Sequence, residues 1–392
     1  MKRTMHSLGI MAAAAMVWAT GPAWASGQGV TDTEIVIGNV LPMSGAAAIT
    51  GRAAHLGTVV AAAEINAAGG INGRKIKVVT EDDGYVPARS FQSLKKMLAD
   101  GMFALIGTSG NAGLAAMLPV LEEEKVPTIV TLSPSLAAVN PVRPNIFMLG
   151  ASYEDMLFAQ LKYIKENRSP KGKLGLLRQD DDFGNQVELA FKRAEAELKV
   201  ETIPPIRFKR GQSDFSAEVL KLRSSGIGWL ISGGPVVETP AMMKELMKYQ
   251  LNIPVTSVPT GMLAPVVKLA AATGMNYFSA DYVSTLDSEG TAHFRKLATQ
   301  YLSAAEQADM SRYSVTAYVS SLLMFNAIKT CGKNVTRDCV SEKLASNKNV
   351  DTTGITPPLS FGKDHIAAKA IRVIEVMSTE NKLVERTPFA EY

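Results

Sequence analysis

Small polar residues dominate the segments of this chain that are placed to do chemistry. Gly107-Thr108-Ser109-Gly110-Asn111-Ala112-Gly113 lies between an apolar run at 103–106 and a helical pattern, so its hydroxyls, side-chain amide and free backbone N–H groups suit a carboxylate or another oxygen-rich group. The same glycines can also serve only a tight turn. Thr131-Leu132-Ser133-Pro134-Ser135 repeats the theme one strand later, with Ser133 and Ser135 as further donors, Ser135 alternatively a helix cap. Ser44, Gly45 and Thr50 occupy the loop after the first strand. Asp180-Asp181-Asp182-Phe183-Gly184 brings three acids and an aromatic ring to the corresponding edge of the second half. A metal there is conceivable, but consecutive loop carboxylates are more often solvated or capping, and Phe183 reads as an apolar lid or stacking surface. Tyr85 and Tyr153 are aromatic candidates near loop ends, with core packing as their alternative role.

Catalytic patterns are missing. Gly107-Thr108-Ser109-Gly110-Asn111 departs from Gly-x-Ser-x-Gly at its fifth place. No Gly-x-Gly-x-x-Gly follows the first strand, and no phosphate-binding Gly-x-x-x-x-Gly-Lys-Ser/Thr occurs. The expectation is therefore a binding protein without catalytic residues, cofactor or metal. His55, His293 and His365 read as solvated or structurally satisfied. Cys331 and Cys339 are the two cysteines; an oxidising compartment makes a short local disulfide the favoured reading, a reactive or metal-binding pair the alternative.

The elements that position these loops follow a regular rhythm. Lys2 and Arg3 precede an apolar stretch over 8–20, and Ala23-Trp24-Ala25 before Ser26 forms the small-x-small pattern of a cleavable export signal. A mature chain starting at Ser26 carries a net charge of +2 instead of +4, which gives no reason to expect nucleic acid as a partner. Its length of about 367 residues exceeds what one core usually organises, so two lobes are expected. Short β-branched runs at 34–40, 76–79, 103–106 and 128–132 alternate with helical patterns over 52–68, 87–99 and 112–124. A second series of the same kind runs from helix 153–166 to strand 254–257. This is the writing of two consecutive α/β, doubly wound parallel sheets. Helices at 291–305 and 314–329 follow, and a hairpin-like ending includes a strand over 370–377.

Longer strings carry a resemblance. Ile37-Gly38 to Pro42-Met43-Ser44-Gly45, Glu64-Ile65-Asn66-Ala67-Ala68-Gly69-Gly70-Ile71-Asn72-Gly73-Arg74, and Asp82-Asp83 followed by Pro87 resemble the substrate-binding proteins of ABC importers in the branched-chain amino acid (leucine/isoleucine/valine-binding) family. The resemblance extends from about Glu34 to beyond Met377. It implies the type I periplasmic-binding fold: two doubly wound lobes joined by a three-stranded hinge, ligand held between them, and delivery to a permease in the inner membrane. The implied division is a signal peptide over 1–25, an N-terminal lobe over 26–149 plus 284–353, and a C-terminal lobe over 150–283 plus 354–392. A periplasmic monomer is implied too.

Carried over by position, the carboxylate-binding loops correspond to Ser109, Gly110 and Asn111 and to Ser133–Ser135, the aromatic-Gly to Phe183-Gly184, and a side-chain contact to Thr50. The chain departs from the amino-acid-binding pattern where Gly233-Gly234 is followed by Pro235 and where the loop Val258-Pro259-Thr260-Gly261 holds no acid. A buried ammonium without an anionic partner is costly. The expected ligand is therefore a small carboxylate-bearing molecule, aromatic or aliphatic, other than an ordinary α-amino acid, with Thr260 and Phe183 on one side and the hydroxyl loops on the other. Glu238 or the Asp180–Asp182 run is the available substitute for the missing acid. Amino-acid binding, a ligand-sensing subunit for a receptor, and an exported α/β enzyme are the competing readings.

Overall fold

The computed structural model describes residues 29–108, 110–235, 237–377 and 382–392; the expected export signal lies outside them. The first lobe is built from β1 (Glu34–Leu41), α1 (Ala48–Ala67), β2 (Lys75–Asp82), α2 (Pro87–Ala99), β3 (Ala104–Ile106), α3 (Asn111–Glu123), β4 (Thr128–Val130) and β5 (Ile146–Gly150). The second continues with α4 (Tyr153–Arg168), β6 (Lys173–Gln179), α5 (Asp182–Leu198), β7 (Ile206–Phe208), α6 (Ser216–Ser224), β8 (Ile227–Gly233), α7 (Glu238–Lys248), β9 (Val255–Ser257), α8 (Ala264–Thr273) and β10 (Tyr277–Asp281). Then come α9 (Ala292–Tyr301), α10 (Ala304–Ala308), α11 (Arg312–Thr330), α12 (Arg337–Ala345), β11 (Ile366–Ala368), β12 (Arg372–Met377) and β13 (Lys382–Glu385).

Two sheets result. The first has the order β11-β5-β4-β3-β1-β2, with every pairing parallel. The second runs β13-β12-β10-β9-β8-β6-β7, parallel from β7 to β10 and antiparallel at the β12–β13 edge. Parallel strands covered on both faces read as continuous apolar runs, and β3, β4, β5 and β8 are buried at every position. Helix α1 buries Leu56 and Val60 in the first core.

The chain passes from one sheet to the other after β5, after β10 and between β11 and β12. At the first two crossings the backbone and a ring nearly touch: a Cβ on Gly150 would sit 2.2 Å from the Tyr282 ring, so only glycine fits. Beside this point Arg312 Nη2, at the start of α11, donates to Asp281 Oδ1 over 2.7 Å at the end of β10, and both side chains are buried. Burial opposes the guanidinium charge, and the adjacent Asp281 carboxylate outweighs it and keeps Arg312 firmly protonated.

Three sequence expectations shift. Residues after 354 were expected in the second lobe, but β11 pairs with β5 in the first sheet, and the last crossing falls between 368 and 372. Thr50, expected in a loop, lies in the first turn of α1. Phe183, expected before its helix, lies in the first turn of α5, where Asp181 caps by accepting from Gly184 N. Cys331 and Cys339 are joined by a disulfide with Cα atoms 6.1 Å apart. His55 and His365 are satisfied by Thr80 and the Ile146 carbonyl, and His293 meets Glu64. No helix among the described residues is long and apolar enough to cross a membrane.

Candidate functional site

In an open parallel sheet the strand order reverses at one place, and the loops leaving the strands there diverge to open a crevice. In the first sheet that place lies between β1 and β3, in the second between β6 and β8. The loops leaving these four strands, together with those after β2, β7 and β9, surround a cavity of about 300 Å³ between the lobes.

Thr50, Tyr85, Gly110, Asn111, Tyr153, Phe183 and Thr260 all line it. Ser109 lies outside the described residues. Ser133 and Ser135 are buried near the expected loop but are not on the cavity wall. Ser135 makes no capping hydrogen bond to the short helical turn that follows it. Thr50 Oγ1 donates to the Ala47 carbonyl over 2.8 Å, so its one O–H proton is already used and only its acceptor lone pairs are left for a ligand.

The walls are mainly apolar. Tyr153 and Phe183 meet edge to face with ring centres 5.3 Å apart, a favoured arrangement for two aromatic quadrupoles. Pro42, Leu132, Pro235, Val237 and Tyr313 complete the surface. Gly110 has φ 58° and ψ 155°, a region open essentially to glycine, and a Cβ there would lie 2.5 Å from the Tyr85 ring. The ring therefore rests directly on the loop. Burial pushes the Tyr85 hydroxyl up to about 12, with Arg210 pulling in the opposite direction.

Polar atoms punctuate this surface. Asn111 Nδ2, Thr260 Oγ1 and Glu238 Oε2 lie on residues of the cavity wall, and each is buried without a protein hydrogen-bond partner. Their residues are 6%, 7% and 2% exposed. Thr108 Oγ1 and Ser133 Oγ, in the loops after β3 and β4, are buried and unpartnered as well. A buried polar atom left unpaired costs about 1–3 kcal/mol, and such atoms gathered at one crevice are what a site for a polar solute requires. Asn111 opens the 13-residue helix α3, whose N-terminal field favours negative charge.

Two charged residues stand out. Arg210 follows β7, and its guanidinium lies 4.7 Å from the centre of the Tyr85 ring of the other lobe. Its Nη1 donates to the Tyr85 carbonyl over 3.3 Å and its Nη2 to Asp181 Oδ2 over 2.7 Å. Glu238 opens α7, and its Oε1 accepts from Gly211 N over 2.8 Å. Two of the three acids considered for a metal have other partners: Asp181 holds Arg210, and Asp180 meets Arg207, while Asp182 lies in the first turn of α5. Among the described residues no group of three or more His, Cys, Asp or Glu side chains is placed to hold a metal ion. The residues that sequence reasoning passed over are Arg210 and Tyr313. Arg210 carried a usable signal, its place in a strand-to-helix loop. Tyr313 carried none, because its helix returns from the far crossing.

The architecture and its crevice define a type I periplasmic-binding fold. The sequence profile of the periplasmic binding protein family matches residues 34–381, and the chain belongs to that family. Among curated relatives, an amino acid binding protein of Pseudomonas aeruginosa is 26% identical over 193 residues, 49% of this chain and 51% of that one. The chain therefore spans about half the length of that relative. A Leu/Ile/Val-binding protein homolog of Brucella abortus is 24% identical over 282 residues, 70% and 72% of the two chains. Among solved structures, a fatty acid ABC transporter substrate-binding protein from Thermomonospora curvata superposes with a TM-score of 0.83 at 20% identity, covering 94% of this chain and 95% of that one. A solute-binding protein from Rhodopseudomonas palustris in complex with 4-hydroxybenzoate gives 0.79 at 19% identity, with 91% and 97% covered. A branched-chain amino acid transporter substrate-binding protein from Streptococcus pneumoniae in complex with isoleucine gives 0.79 at 21% identity, with 91% and 100% covered.

Proposed function

We propose that this chain captures a small carboxylate-bearing molecule with an aromatic or aliphatic body between its two lobes and delivers it unaltered to an ABC permease of the inner membrane, acting as an exported periplasmic monomer. The observation that carries the ligand class is the buried, unpartnered Asn111 amide at the N-terminus of α3, on the wall of a mostly apolar cavity. A carboxylate oxygen satisfies that donor and meets the helix field. The ligands named for structural relatives, isoleucine, 4-hydroxybenzoate and fatty acids, share this group and little else.

Calorimetry and thermal unfolding of the mature protein test the proposal. A panel of aromatic and aliphatic carboxylates should contain binders that raise stability by about 2.7 kcal/mol at a hundredfold excess over Kd, while their methyl esters should not. An α-amino acid is the second reading. It is favoured by Glu238, a buried acid on a residue of the cavity wall, available in place of the acid that the 258–261 loop lacks. A panel in which amino acids bind and simple organic acids do not would establish it over the first.

A further inference from the structure

Glu238 raises a question that the capture of a carboxylate does not answer. One carboxylate has been placed at 2% exposure on the wall of a cavity meant for another. Its two oxygens are not equivalent. Oε1 accepts from Gly211 N over 2.8 Å, whereas Oε2 has no protein partner. A carboxylate oxygen accepts and never donates while ionised, so a ligand group resting against Oε2 must bring a proton of its own. A hydrocarbon end would leave the oxygen stripped of water and unpaired, and a second carboxylate would be repelled.

One cation and three acids interact electrostatically at this end of the cavity: Arg210, Asp181, Asp83 and Glu238, all felt at the Tyr85 hydroxyl. Arg210 is held by Asp181, so its charge is shared and does not by itself choose between an ammonium and a hydroxyl against Oε2. The carboxylate reading makes that choice: an acid that is not an α-amino acid brings its proton as an O–H. Thr260 Oγ1, also unpartnered on the wall, can accept from or donate to the same hydroxyl.

Resting on the carboxylate reading above, we infer that Glu238 is a specificity-determining residue that selects acids carrying a hydroxyl on the end facing the second lobe, so that hydroxylated carboxylates are the substrate class. Sites built to hydrogen-bond a ligand O–H reject the analogue lacking it by up to about 10⁴-fold, because the site's own group is left unpaired.

Matched pairs test this: benzoate against 4-hydroxybenzoate, and 3-phenylpropionate against 3-(4-hydroxyphenyl)propionate, titrated calorimetrically into the wild-type protein and Glu238→Gln. The glutamine can still accept from Gly211 N through its carbonyl, but it presents an N–H₂ group in place of Oε2. In the wild type at least one hydroxylated acid should bind about 100-fold or more tightly than its partner. In Glu238→Gln that ratio should collapse to within a few-fold, with the melting temperature of the ligand-free protein nearly unchanged. Equal affinity within each pair in the wild type overturns the inference and leaves the carboxylate reading standing. So does a hydroxyl preference that Glu238→Gln does not alter. Should Glu238→Gln destabilise the protein, 4-methoxybenzoate against the wild type decides instead: it keeps the oxygen and removes the proton, and binding as tight as 4-hydroxybenzoate overturns the inference. Binding of leucine or tyrosine with none of the four acids overturns the carboxylate reading itself.

Discussion

Replacing Arg210 with alanine should weaken ligand binding by loosening the closed arrangement of the lobes, and the size of the effect follows from two contacts. The guanidinium, on the second lobe, lies 4.7 Å from the centre of the Tyr85 ring on the first. With the Arg210 side chain 40% exposed, such a cation–π contact is worth about 0.5–1 kcal/mol. The hydrogen bond to the Tyr85 carbonyl, at 3.3 Å, is long and adds about 0.5–1 kcal/mol. The ion pair with Asp181 stays within the second lobe, survives opening, and does not count. The sum, about 1–2 kcal/mol, corresponds to a factor of about 5–30 in the closing equilibrium, and a ligand that needs the closed form loses apparent affinity by up to that factor. Calorimetric Kd and stopped-flow dissociation rates should show this, with the loss mostly in dissociation. A double-mutant cycle of Arg210→Ala with Tyr85→Leu should return a coupling of about 0.5–1 kcal/mol, the cation–π part alone, because leucine keeps the backbone carbonyl that accepts the hydrogen bond. A Kd within twofold of wild type, or additive effects of the two substitutions, would refute the reasoning.

Other consequences are local. Gly110→Ala forces a Cβ to within 2.5 Å of the Tyr85 ring at positive φ, so urea unfolding should show a loss of about 1–3 kcal/mol together with weakened binding; unchanged affinity would contradict the placement of that loop on the site. Asp281→Ala strands the buried Arg312 and should cost about 3–5 kcal/mol in the same assay, most of it regained when Arg312→Met is added. Opening the Cys331–Cys339 bridge, which closes a separation of 8 residues, should cost about 2.5 kcal/mol by the chain-entropy relation and leave Kd unaltered, since neither residue touches the cavity. Burial raises the Tyr85 hydroxyl to about 12, so the folded state holds that proton more tightly than the unfolded chain near pH 10. Its contribution is complete below pH 10 and is lost as pH rises to about 12. Tyr85→Phe should flatten the alkaline stability profile in that window by about one proton.

The sheet rhythm was legible because buried parallel strands leave apolar runs such as Ile227–Gly233 between helices with one apolar face. The loops that form the crevice were legible for the same reason: a strand-to-helix connection can be placed once strand and helix are known, which pointed to Gly110, Asn111 and Phe183 without any motif, whereas Thr260 came from the family resemblance. Ser133 and Ser135 show the limit of that rule. A loop can be placed by its strand, yet which of its side chains turn inward depends on the tertiary packing of Leu132, which reaches the wall in their stead. Arg210 was not legible as a site residue because a loop arginine is ordinarily solvated, and its pairing with Asp181 spans 29 positions. The lobe assignment of β11 was beyond reach for a simpler reason: three residues, Ile366–Ala368, offer too short a run to declare which sheet completes them. The three acids at 180–182 look alike in sequence, and only the neighbours Arg207 and Arg210 reveal Asp180 and Asp181 as ion-pair partners.

Small-angle X-ray scattering of the mature protein with and without a saturating acid, chosen as the tightest binder of the panel, tests the central claim most directly. Capture between hinged lobes predicts a smaller radius of gyration in the loaded protein, one acid bound per chain, and the acid recovered chemically unchanged. A binder that leaves the scattering curve identical, or that emerges altered, would contradict it.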